Sequence, residues 1–414
     1  MEAPTRGGLT VGLLAPMAFV GRSGMGRYQT ELSKALARAL SPDAELHLIV
    51  QMRLQGPLRG GARPGGMERV IVRDYMGPGA AVRELPRVLA RLARAPDLLD
   101  WHPEALFSLV GSRILAARAA ERARLDLVHG MANFLPRTRP KMARVVSLLD
   151  TIPLDRPQDV TRSTRLGYLR PNELLPDDRI ITISAVAREG ILRHFPAAEG
   201  RVHVVPLGVD RETFRPAPEP PAPTEGGYLL SVGMFEPRKN LARALEAFER
   251  VAARRPSVRW KLVGAPGFGR AQFEKRLAAS PARGQVDLYG PADDAALADL
   301  YRGARALLFP SLAEGFGLPV VEALACGTPV AASDLPVVAE VADDVFARLD
   351  PADVVSIEEA IERAAFDETL RASLRKDGLE RAQRFEWGRV AEEHLQVYAQ
   401  ALGAPVSELL VAPA

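Results

Sequence analysis

Apolar residues fall along this 414-residue chain in short continuous runs, separated by stretches with helical spacing. Thr10 to Leu14 is the first run. A glycine-rich stretch (Gly21, Gly24, Gly26) follows, and then Leu32, Leu36, Ala39 and Leu40 recur at i, i+4, i+7 and i+8. The run predicts a strand buried on both faces, and the spacing predicts an amphipathic helix. The alternation continues with runs at Leu46–Val50, Leu125–His129, Arg144–Leu149, Arg179–Ser184 with a helix to Phe195, and Val202–Pro206. Short apolar strands between helices predict an α/β fold with a parallel sheet covered on both faces.

The pattern breaks after Pro206, where residues up to Gly227 are rich in proline and show little periodicity, the signature of a linker. It then restarts. Strands are expected at Tyr228–Val232, Trp260–Val263, Val286–Tyr289, Ala306–Phe309 and Pro329–Ala332, with helices at Asn240–Ala252, Gln272–Ala279, Ala295–Tyr301 and Pro319–Cys326 between them. From Ser356 onward the chain is strongly helical, and Trp387, Val390, Leu395 and Tyr398 mark a last amphipathic helix. The division expected is a Rossmann-like domain over 1–205, a linker over 206–227, a second Rossmann-like domain over 228–385, and a C-terminal helix over 386–414 that packs back on the first domain. Two doubly wound domains in series set the carboxyl ends of both sheets beside a cleft between them, where ligands bind in such folds.

Composition narrows the class: 47% hydrophobic and 25% charged residues describe a globular chain, not a disordered or fibrous one. The single cysteine, Cys326, excludes an intramolecular disulfide framework and a cysteine-based zinc site, and points to the cytoplasm. The apolar run Leu9 to Val20 is about half the roughly 20 residues that span a bilayer. Gly12 and Pro16 interrupt it, and no small-residue cleavage pattern follows, so it reads as a buried strand rather than a leader. The net charge of +3 hides an asymmetry: residues 1–200 hold 29 Lys and Arg against 20 Asp and Glu, the remainder 25 against 31. A basic half can attract nucleic acid, anionic lipid or a phosphorylated substrate. Aromatic interleaving and any recognised nucleic-acid module are missing, which disfavours the first. Arg83, Arg87, Arg91 and Arg94 recur among Leu85, Val88, Leu89 and Leu92, which predicts a helix with one basic face. An ordinary solvated helix is the plainer reading, and peripheral contact with an anionic membrane face the sharper one.

Three clusters can carry chemistry. Glu314-Gly315-Phe316-Gly317-Leu318-Pro319 through Glu322 links a predicted strand to a helix: glycines permit a tight turn, the helix N-terminus is an anion site, and two carboxylates face it. Gly233 through Pro237-Arg238-Lys239-Asn240 sets a guanidinium fork and an ammonium at a helix entrance, with Asn240 as the expected cap. A helix dipole disfavours cations there, so the pair calls for an anionic partner. In Gly21 to Arg27, amides around Gly24 and Gly26 can approach a phosphate, although glycine spacing alone equally describes a flexible turn. Asp177-Asp178 and Asp293-Asp294 read as surface turns, and no metal site is expected.

Taken together with Ser231-Val232-Gly233, Leu262-Val263-Gly264, Gly327-Thr328-Pro329-Val330 and Val205-Pro206-Leu207-Gly208-Val209-Asp210, these residues resemble the family 4 glycosyltransferases, retaining enzymes of the GT-B fold that use nucleotide-sugar donors. The resemblance implies that Glu322 binds the donor ribose and that Glu314 contacts the transferred sugar. It gives Arg238 and Lys239 the diphosphate, with Phe316, Gly317, Leu318, Gly233, Gly24 and Gly26 also on the donor. No metal or other cofactor is implied. His129, Asn133 and Asp150 are the acceptor-side candidates. Many relatives carry His-Asp where this chain has Leu149-Asp150, and His129 at a predicted strand end is as readily a structural residue. The first functional expectation is a hexosyltransferase of polysaccharide biosynthesis, with GDP-mannose as the first donor choice, a glycan or lipid-linked acceptor, and a place in the cytoplasm or at the inner face of the cell membrane. The alternative is a nucleotide-sugar-binding pseudoenzyme without turnover.

Overall fold

A computed structural model describes residues 8–15, 24–50, 70–74, 112–131, 142–161, 173–217 and 226–411, with residues 133, 135, 136, 138, 164, 165 and 168 besides. Gly21 to Ser23 of the first glycine loop, the helix expected over Arg83 to Arg94, and linker residues 218–225 lie outside the described residues.

The first sheet is built from β1 (Thr10–Leu14), β2 (Glu45–Val50), β3 (Val70–Asp74), β4 (Leu127–Gly130), β5 (Ala143–Ser147), β6 (Arg179–Thr182) and β7 (Val202–Val204). It is parallel throughout, in the order β3-β2-β1-β4-β5-β6-β7. The helices placed with it are α1 (Gly24–Ala39), α2 (Ser112–Arg122), α3 (Ile152–Asp155) and α4 (Ala185–His194). β3, α2 and α3 were not among the expected elements.

The second sheet repeats the plan with β8 (Tyr228–Val232), β9 (Arg259–Val263), β10 (Val286–Tyr289), β11 (Ala306–Phe309), β12 (Val330–Ser333) and β13 (Ala347–Leu349), in the order β10-β9-β8-β11-β12-β13. Between and after its strands come α5 (Leu241–Arg254), α6 (Arg270–Ala278), α7 (Asp294–Gly303), α8 (Leu318–Cys326), α9 (Pro336–Ala342), α10 (Val354–Phe366) and α11 (Glu368–Ala382). The two sheets match the two Rossmann-like halves expected.

Helix α5 shows why the second core closes: Ala244, Leu245, Phe248 and Val251 form one buried stripe and pack on Trp260, whose ring lies 5.5 Å from that of Phe248. The Trp260 indole N–H stays satisfied by Ser231 Oγ at 3.0 Å, so the ring is buried with its polar edge paired.

Helix α12 (Trp387–Leu402) leaves the second domain and packs on α1, β4, β5 and β6 of the first. A fully buried polar chain fixes it there. Tyr398 donates to His129 Nδ1 (2.6 Å), His129 Nε2 to Ser147 Oγ (2.7 Å), Ser147 to Tyr28 Oη (2.6 Å) and Tyr28 to His394 Nε2 (3.4 Å). His394 Nδ1 donates to the Val390 carbonyl at 2.7 Å. These directions use every proton once, with both imidazoles neutral; the tautomers follow from the network. Beyond α12 the chain returns to the first domain, where Leu410 bridges Leu40.

Each sheet reverses its strand order beside its first strand, at β1/β4 and at β8/β11. The crevice at the carboxyl ends of β8 and β11 therefore receives the two loops that hold Arg238, Lys239 and Glu314.

Candidate active site

Arg238 and Lys239 lie on the single 3-10 turn Pro237–Lys239 that follows β8. Gly233 at the strand end has φ 145°, and a side chain there would press on the Lys239 stem, with Cε 3.1 Å from the added carbon. That glycine leaves room for the lysine to turn back into the crevice. Lys239 Nζ donates to Glu314 Oε1 at 2.6 Å and lies 4.8 Å from the Phe309 ring centre. Arg238 forks: one nitrogen reaches Glu314 Oε2 (2.9 Å) and the Ala313 carbonyl (3.2 Å), the other Glu236 (2.8 Å). Asn240, expected as a side-chain cap, is corrected: it takes a left-handed conformation (φ 56°) and its amide donates to the Pro351 carbonyl at 2.8 Å.

The electrostatics follow from burial and pairing. Burial alone would raise the Glu314 carboxyl, but Lys239 and Arg238 outweigh it and hold the pKa at about 2. For Arg238 burial opposes the charge, yet Glu314, Glu236 and Asp150 keep its pKa above the ordinary value. Burial dominates at Lys239, whose pKa is lowered. Glu314 is thus an anion at neutral pH, suited to accept hydrogen bonds and unable to deliver a proton.

Gly317, at φ 106°, turns the chain into α8. The N–H groups of Gly317 and Leu318 find no acceptor among the described residues, so this helix start offers donors. The Phe316 side chain points elsewhere, edge-on to Phe385 at 5.9 Å. One turn into α8, Glu322 is 1% exposed; it accepts from Tyr301 Oη at 2.8 Å and pairs with Arg27 of α1 in the opposite domain. Arg27 also meets Asp294 at 2.5 Å. Asp294 and Asp178 therefore correct the expectation of surface turns: Asp178 is buried against Arg144 at 2.9 Å, and Asp293 caps α7 through the Ala296 N–H at 2.9 Å. Arg27 was not among the expected site residues.

A sequence profile of the family described as "Glycosyl transferases group 1" matches residues 212–381. O-antigen chain mannosyltransferase B of Escherichia coli is 27% identical over 328 residues, 75% of this chain and 82% of that one. Phosphatidyl-myo-inositol mannosyltransferase of Mycolicibacterium smegmatis is 33% identical over 254 residues, 60% of this chain and 64% of that one. The chain belongs to the group 1 glycosyltransferases. Its fold is shared with sucrose-phosphate synthase from Thermosynechococcus elongatus, with a TM-score of 0.73 at 20% identity over 96% of this chain and all of that one. That fold is the GT-B arrangement expected.

The first domain of this glycosyltransferase meets the Glu314 loop through Asp150. The Asp150 carboxylate accepts from the Ile152 N–H at 3.0 Å, and its pKa is raised by burial against the pull of Arg238. Ser184 caps α4 through the Ala187 N–H (3.0 Å) and donates across the cleft to the Gly315 carbonyl (2.9 Å). Asn133 is one step removed, its Oδ1 accepting the Leu149 N–H at 3.0 Å and so fixing the loop that carries Asp150. His129 is fully buried in the chain that holds α12 and does not reach the cleft, and Leu149 lies in the core. Gly26 is buried within α1, whereas Gly24 opens to space, with nothing within 4 Å of an added carbon.

At Gly315 the two domains meet with no room for a side chain: an added carbon would lie 2.8 Å from Asp150 Cβ and Oδ2. Gly315→Ala is expected to push the loop and Asp150 apart and lower turnover by about tenfold or more, since misplacements near 1 Å carry such costs. Steady-state rates check it, and wild-type rates in the variant would show that the contact yields freely.

Proposed function

We propose that this glycosyltransferase is a retaining hexosyltransferase that takes a sugar, mannose first, from a nucleotide diphosphate sugar and passes it to a glycan or lipid-linked acceptor. The observation that carries the reading is Arg238 and Lys239 gathered on Glu314 beside the open N–H groups of α8. Glycosyl transfer from such a donor needs stabilisation of the departing diphosphate more than a strong base. Two fixed cations and a helix N-terminus supply it, so the reaction is read as metal-independent. Glu314, an anion held by those cations, is suited to the hydroxyls of the transferred sugar. Glu322, buried one turn along α8, is suited to the ribose.

Mannose as first choice is supported by two relatives whose names are mannosyltransferases. The excess of arginine in residues 1–200 supports an acceptor that carries negative charge, such as a lipid diphosphate. Among the described residues no helix is long and apolar enough to cross a membrane, and contact with the inner membrane face would then be peripheral.

The test is thermal stabilisation by GDP, UDP, ADP, TDP and CDP, followed by turnover of the matching nucleotide sugar in EDTA. Binding to the native state raises the melting temperature by mass action. A shift with GDP, lost in Glu322→Ala, and release of GDP from GDP-mannose are the expected results. Stabilisation without release of product, with every acceptor tried, would instead point to a donor-binding protein without turnover.

A further inference from the structure

We propose that Arg27 gates the donor site, holding the cleft closed by occupying the carboxylates of Glu322 and Asp294 until a donor displaces it. The inference rests on the reading of Glu322 as the donor-binding carboxylate. Arg27 is the fourth residue of α1 in the first domain, and its two terminal nitrogens reach Glu322 on α8 and Asp294 at the start of α7, both in the second domain. Its guanidinium also lies over Phe214, 5.3 Å from the ring centre. The first turn of α1 holds no acid, and among the described residues the ion pairs of Arg27 are with Glu322 and Asp294 across the cleft. A cation at a helix start is disfavoured by the helix dipole, which makes this placement costly without those partners.

The closed state follows from the same contacts. Glu322 has one oxygen on Tyr301 and the other on Arg27, with 1% of its surface exposed, which leaves it no face for another ligand. The space beside Lys239 at the ends of β8 and β11, about 10 Å³, is lined by second-domain residues alone and does not reach Glu322. Two larger cavities, about 360 and 820 Å³, are lined by neither Glu314 nor Glu322. A donor that contacts Glu322 therefore has to displace Arg27 from it, and parting the domains breaks the Arg27 bridge. With Arg27 gone, Glu322 would be a buried carboxylate with no cation, which favours opening to water or replacement by the hydroxyls of a ligand.

Two measurements test the gate. Calorimetric titration with GDP and UDP should give a dissociation constant about tenfold lower for Arg27→Ala than for wild type, because the binding-competent fraction rises. Asp294→Asn, at a half-exposed position with little bearing on folding, should shift it in the same direction by less. Small-angle scattering of the nucleotide-free proteins should show a larger radius of gyration for Arg27→Ala. Unchanged or weaker nucleotide binding in both variants would overturn the gate, because Arg27 would then be a bystander or part of the ligand's own contacts. If neither wild type nor variant binds any nucleotide, the reading of Glu322 falls, and scattering still decides the latch: a radius unchanged by Arg27→Ala would overturn it too.

Discussion

Arg238→Ala and Lys239→Met each lower turnover on the order of tenfold to a thousandfold, the range seen when a fixed donor to a developing anion is removed. Methionine at 239 keeps the aliphatic stem that fills the space beside Gly233 and Phe309, so the loss reports the charge rather than the packing. The two effects are not independent. Both cations close on the two oxygens of one carboxylate, Glu314, so removing either leaves the other drawn more tightly to it and less free for a diphosphate. The double variant is therefore expected to lose less than the product of the single losses, as groups acting as a unit do. Initial rates at saturating donor measure this, and wild-type rates in both single variants would remove these residues from the mechanism.

The Arg238-Lys239 pair was legible before the structure because two cations stood at a helix entrance where the dipole works against them. The same dipole argument applies to Arg27, but its partners lie 267 and 295 residues away, so the sequence alone does not pair it. A lone arginine in a glycine-rich stretch looks like part of a turn. In the second sheet Ala306–Phe309 and Val330–Ser333 were readable because they are buried on both faces, whereas the three-residue edge strand Ala347–Leu349, with Arg348 exposed, was not expected. Val70–Asp74 was missed: five residues, two of them charged, at the edge of the first sheet, carry too short a pattern to stand out. His129 could be read either as a cleft residue or as a structural one, since a strand-end position is shared by both. Only its two bonds, to residues 18 and 269 positions away, decide for the buried network.

That network makes folding stability fall as the pH drops from neutral. Burial lowers the pKa of His394 from 6.5 to about 4, against the opposing pull of the Val390 carbonyl, and lowers that of His129 well below 6.5, with the neighbouring His394 adding to the effect. In the unfolded chain both rings take up a proton as the pH falls through about 6.5, whereas in the folded protein His394 stays neutral until about 4. The unfolded state then binds more protons, so acidification favours it. The His394 ring is expected to remove about 2 kcal/mol of stability as the pH falls from neutral to 5, at about 1.4 kcal/mol per pH unit, and His129 acts in the same direction. Glu314 acts with the same sign only lower, as the pH falls through 4.5 towards about 2. The raised carboxyls of Glu322 and Asp150 act oppositely, by taking up protons in the folded state first. His394→Leu isolates one ring: urea unfolding at pH 7 and pH 5 should show a loss smaller than that of the wild type by about 2 kcal/mol, whatever the variant's stability at pH 7. An equal loss in both proteins would mean that His394 is charged or hydrated in the folded state, and that the bond directions joining α12 to the first sheet are wrong. Because α12 is the helix that leaves the second domain to pack on the first, the same loss should accompany its release and a fall in turnover at acid pH.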